Sequence, residues 1–72
     1  MLHFSNHARD RMRERNISEE EVSECLQNPD TTYPDEDDDN MNYVCTLSSG
    51  RKIRVVINEK RPRHRVIISV MD

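Results

Sequence analysis

Seventy-two residues and 8.6 kDa accommodate one small domain and exclude a second core or a large cofactor-binding fold. Hydrophobic residues make up 33% of the chain and charged residues 35%, but the apolar ones are gathered in two regions, so a single small core is expected. The net charge of −3 conceals three blocks: residues 1–17 and 43–72 are basic, while Ser18 to Asn42 holds ten carboxylates and no Lys or Arg, a pattern that points to an interaction surface.

Phe4, Ala8 and Met12 recur every four residues, and with Ser5 as N-cap they predict a helix over residues 5–15. His7, Arg11 and Arg15 share that spacing and form a neighbouring stripe at the edge of the buried face. Ser18-Glu19-Glu20-Glu21 is a capping box, and Ile17 is placed to staple onto Val22, so a second helix spans 19–27. Its apolar face is Val22, Cys25 and Leu26, and Asn28-Pro29 ends it. Thr31-Thr32-Tyr33 reads as a short strand limited by Pro34, followed by an acidic loop over 35–40. Strands are then predicted over 41–47, 51–58 and 65–71, the first two joined by a tight turn at Ser48-Ser49-Gly50 and the last two by a basic loop broken at Pro62. Alternation sends Ile53, Val55 and Ile57 to one side and Lys52, Arg54, Val56 and Asn58 to the other; in the last strand it groups Val66, Ile68 and Val70. The expected fold is α+β in one domain, residues 1–72: two N-terminal helices packed on a three- to four-stranded antiparallel sheet, whose open face carries Lys52, Arg54 and Arg65.

The sequence argues against metals and cofactors. His3 and His7 lack an obvious third zinc ligand; Asp35, Asp37 and Asp39 imitate the start of a calcium loop, but Asn40 and Thr46 occupy the positions that need glycine and glutamate. A chain with one glycine has no phosphate-binding loop or dinucleotide fingerprint. Cys25 and Cys45, each within an apolar pattern, read as core thiols kept reduced in a cytoplasm. The longest apolar runs, Val55 to Ile57 and Val66 to Ile68, are too short to span a membrane, and no signal-peptide pattern opens the chain, so a soluble cytoplasmic protein without a membrane partner is expected.

The run from Ser5 to Val22 resembles the N-terminal signature S-x-H-A-x-x-R-M-x-E-R-x-I-S-x-E-E-V of the small bacterial family called domain of unknown function 4258, and Gly50-Arg51-Lys52-Ile53-Arg54-Val55-Val56 is similar to its later basic hairpin. The resemblance implies the fold of RelE/ParE-type toxins of toxin–antitoxin systems, whose nuclease relatives cleave RNA without a metal. Two departures stand out. Asn16 occupies a place where glycine is common, and the tract from Asp35 to Asn40 has no counterpart in the pattern.

Metal-independent RNA cleavage needs a base, an acid and cations aimed at the phosphorane. His7, Arg11 and His64 are the candidates for that chemistry, and Arg15, Arg51, Lys52, Arg54 and Arg65 are the candidate nucleic-acid contacts, the arginines able to hold phosphate bidentately. The bland reading makes His7 a structural residue beside the core and pairs Arg11 and Arg15 with nearby carboxylates. The leading expectation is thus a toxin-like RNA-binding protein or endoribonuclease, with RNA or an antitoxin as partner. The alternative is a non-catalytic interaction module or mobile-element regulator, in which Asp35, Asp37, Asp38 and Asp39 bind a partner, mimic nucleic acid or shield the basic face. A homodimer is compatible with either.

Overall fold

Along the chain of this computed structural model, which describes residues 2–35, 39–59 and 65–72, the elements are β1 (His3–Phe4), α1 (Asn6–Arg15), α2 (Glu19–Gln27), β2 (Thr31–Pro34), β3 (Asn40–Thr46), β4 (Lys52–Asn58) and β5 (Val66–Met71). The helix boundaries follow from local chemistry. Ser5 is extended, and its Oγ accepts from the Ala8 amide at 3.0 Å. At the other end of α1, Asn16 takes left-handed geometry, φ 57° and ψ 49°, while the Ile17 amide reaches back to the Met12 carbonyl at 2.8 Å. That closure satisfies carbonyls the helix leaves unpaired. Two residues later Ser18 opens α2 with both halves of a capping box: Glu21 N–H donates to Ser18 Oγ at 3.1 Å, and Ser18 N–H donates to Glu21 Oε1 at 2.9 Å.

The five strands form one sheet in the order β1-β5-β4-β3-β2. The pairings β2/β3, β3/β4 and β4/β5 are antiparallel, whereas β1 runs parallel to β5, with Phe4 opposite Ile67. The expected three- to four-stranded antiparallel sheet is therefore corrected to a five-stranded mixed one. Phe4 belongs to β1 and not to the helix; it stands half-buried against the core.

A second correction concerns β5. Val56 faces Ser69 but Ile57 faces Ile67, so Ile68 is an extra residue on β5 at a bulge. The bulge resets the alternation, and Ile67 and Val70 both enter the core, in place of the expected grouping of Val66, Ile68 and Val70.

Both helices lie on one side of the sheet, α1 against β5 and α2 against β3 and β4. Between them the core gathers Ala8, Met12, Ile17, Val22, Cys25, Cys45, Leu47, Ile53, Val55, Ile57, Ile67 and Val70. Cys25 and Cys45 are joined as a disulfide across a Cα separation of 5.4 Å, which ties α2 to β3. The expectation of free core thiols is corrected: the apolar pattern placed both side chains inside, and the pairing of α2 with β3 brings them together. Paired as a disulfide, the two cysteines give no support to a reducing, cytoplasmic setting. No helix among the described residues is long and apolar enough to cross a membrane.

Candidate nucleic-acid interface

Among the described residues, the opposite side of the sheet carries no helix. Register places Lys52 beside Thr46, Arg54 beside Val44 and Met71, and Val56 beside Asn42 and Ser69 on that face. Tyr33, opposite Asn42 on β2, shares it and is 40% exposed. Arg54 Nη1 donates to the Tyr33 hydroxyl at 3.1 Å, so the two side chains meet above the intervening strand β3. Its Nη2 donates to the Met71 sulfur, and its Nε is buried without a hydrogen-bond partner among the described residues. Tyr33, Val44, Lys52, Ile53, Arg54, Met71 and Asp72 line a hollow of about 430 Å³. Lys52 is exposed and makes no ion pair with another described residue.

The other candidate cations are elsewhere. Arg51 is held at the end of α1: Nη1 donates to the Asn16 carbonyl at 2.9 Å, and Nη2 donates to the Arg15 carbonyl and to Asp72 Oδ2, the latter at 2.7 Å. Arg15 adds a 3.5 Å contact to Asp72 Oδ1. The hydrogen bond from Arg51, before the charges of Arg51 and Arg15, holds the Asp72 carboxyl below the usual carboxylate range. Arg65 lies away from the open face. Its Nη2 donates to the Tyr43 hydroxyl at 2.8 Å and to Glu59 Oε1 at 3.0 Å, while the guanidinium stands 5.9 Å from the Tyr43 ring centre. Tyr43 packs against the core, and its hydroxyl donates to Glu59 at 2.9 Å. Burial, then the bond to Glu59, raises the phenol above its ordinary pKa.

His7 is exposed on α1, across the sheet from Lys52 and Arg54, and its side chain forms no hydrogen bond or ion pair with another described residue. Arg11 pairs with Glu14 at 3.2 Å. His64 lies outside the described residues, as do Asp37 and Asp38. Asp35 Oδ1 accepts from Asn42 Nδ2 at 2.8 Å, which roots the acidic tract on the open face, and the Asp39 carbonyl accepts from the Glu59 amide. Of the sequence-derived contacts, the structure thus brings together Lys52 and Arg54. It adds Met71, which carried no signal in the sequence, and Tyr33, which the sequence offers only as one of three aromatic residues, a weak basis for stacking. The signal for Tyr33 was an aromatic ring in a short strand whose other residues, Thr31, Thr32 and Pro34, include no large aliphatic. No group of three or more His, Cys, Asp or Glu among the described residues is arranged to hold a metal.

The model of a family described as a domain of unknown function, DUF4258, matches residues 4–72. The chain belongs to that family. No curated protein and no solved structure matches it.

Proposed function

We propose that this DUF4258 domain binds single-stranded RNA on its helix-free sheet face, in the manner of a toxin-like RNA-binding protein. The supporting observation is the convergence of Lys52, Arg54 and the exposed Tyr33 ring around one hollow. Two cations supply phosphate contacts, and an exposed ring supplies a stacking platform tolerant of sequence. The Ser5 to Val22 signature is that of the DUF4258 family, and the RelE/ParE-like ancestry which that resemblance implies favours RNA as the polyanion. The reading is one of binding: the candidate catalytic His7 is on the far side of the sheet, so cleavage does not follow from the geometry of this face.

The test is a titration of labelled single-stranded RNA at several salt concentrations. Affinity should fall with salt, and Lys52→Glu with Tyr33→Ala should weaken binding at least ten-fold while leaving the folded spectrum unchanged. Binding that ignores both substitutions would remove the proposal.

A second reading draws on Asp35, anchored to Asn42 on the same face. There the acidic tract competes with RNA for the basic residues. Asp35→Asn with Asp39→Asn should then raise RNA affinity; unchanged affinity counts against shielding.

A further inference from the structure

We propose that the hollow takes the terminal phosphomonoester of an RNA chain, gripped by Lys52 and by the side-on edge of Arg54 after Met71 moves off that edge. This rests on the reading of the helix-free face as an RNA surface and names which part of the RNA it selects.

Nε and Nη2 of an arginine share one edge, the edge that matches two oxygens of a phosphate or carboxylate. In Arg54 that edge is poorly satisfied: Nε is buried without a partner among the described residues, and Nη2 faces the Met71 thioether, a weak acceptor. Nη1, by contrast, is used by the Tyr33 hydroxyl at 3.1 Å, which fixes the plane of the group. A buried donor of this kind is costly to leave unpaired. Met71 is half-buried and lines the hollow, and its unbranched side chain is able to swing aside. An entering oxyanion would gain two charge-assisted bonds in exchange for one bond to sulfur.

Charge and size select the ligand. Lys52 and Arg54 present two positive charges to the hollow. The carboxylate that also lines it, Asp72, is engaged by Arg51 at 2.7 Å and by Arg15 at 3.5 Å, so it leaves those two charges unmatched. A phosphomonoester dianion matches two cations better than the single charge of an internal phosphodiester. A volume of about 430 Å³ is near the small end of ligand pockets and suits one nucleotide end, with Tyr33 positioned beside its base.

The experiment uses the full chain and one oligoribonucleotide prepared with a 5′-phosphate, with a 3′-phosphate, or with hydroxyls at both ends. One of the phosphorylated forms should bind about ten-fold tighter or more than the hydroxyl form. Arg54→Lys should erase that preference, Lys52→Gln should reduce it, and Met71→Ala should increase affinity for the phosphorylated end. Adenosine 5′-monophosphate, but not adenosine, should shift the Arg54 Nε–H resonance. Lys52 is exposed, so Lys52→Gln keeps the test decisive even where Arg54→Lys perturbs folding. Equal binding of all three RNAs overturns this inference and leaves RNA binding by the face intact. Absence of binding to every RNA overturns both.

Discussion

Arg51 Nη2 donates to Asp72 Oδ2 at 2.7 Å, tying the residue before β4 to the residue after β5, and the same guanidinium reaches the Arg15 and Asn16 carbonyls at the end of α1. One side chain therefore fastens helix, hairpin and last strand. Arg51→Ala should lower stability by about 1–2 kcal/mol, because helix-terminal carbonyls lose a charged donor. Lysine cannot span the same three acceptors, so Arg51→Lys should restore little. The pair also sets a pH dependence. Because Asp72 has a lowered pKa when folded, its contribution is present above the ordinary carboxylate value and lost as the pH falls through the folded one. Asp72→Asn should flatten the loss of stability below about pH 4, seen in urea melts across that range.

Asn16 is the only described non-glycine residue with positive φ, 57°. Left-handed geometry strains a residue with a Cβ, least so Asn and Asp, and leaves glycine, which has none, unstrained. Asn16→Gly should therefore be neutral or stabilising, and Asn16→Val should cost about 1–2 kcal/mol. Thermal melts of the two variants decide it; equal stability of the glycine and valine forms would contradict the assigned geometry.

The Cys25–Cys45 bond closes a loop with a sequence separation of 20. The chain-entropy account assigns a ring of this size about 3 kcal/mol, a large share of what a domain this small has available. Urea denaturation with and without a reducing agent should show a midpoint that drops on reduction. The Cys25→Ala, Cys45→Ala double variant should reproduce the reduced protein and lose its sensitivity to reductant. Alkylation of both thiols without reduction would show that they are free.

Incubation of RNA with wild type and His7→Ala, each with and without a chelator, separates cleavage from binding. With His7 on α1 and the Lys52/Arg54 hollow across the sheet, His7→Ala should leave RNA affinity within about two-fold of wild type. Metal-independent cleavage that disappears in His7→Ala would place a second RNA contact on the helix side.

The features legible in the sequence were those whose causes are local. Ser5, Ser18 and Glu21 act within three or four residues of themselves, so both helix starts could be read directly. Lys52 and Arg54 were assigned to one face by alternation within β4 alone. What escaped depends on distant partners. His3 and Phe4 are two residues whose strand character comes from pairing with Val66 and Ile67. The bulge at Ile68 arises from the register of β5 on β4. Arg65 is drawn from the open face by Tyr43, 22 residues away in sequence. The hollow itself joins residues from β2, β3, β4 and β5, a convergence that only tertiary pairing produces.

The bridge between α2 and β3 also encloses β2 and the acidic tract within one covalent circle. A protease that severs the backbone anywhere inside that circle releases no fragment while the sulfur bond persists. The edge strand and its carboxylates can thus be nicked, or lengthened by insertion, while both halves of the fold stay attached.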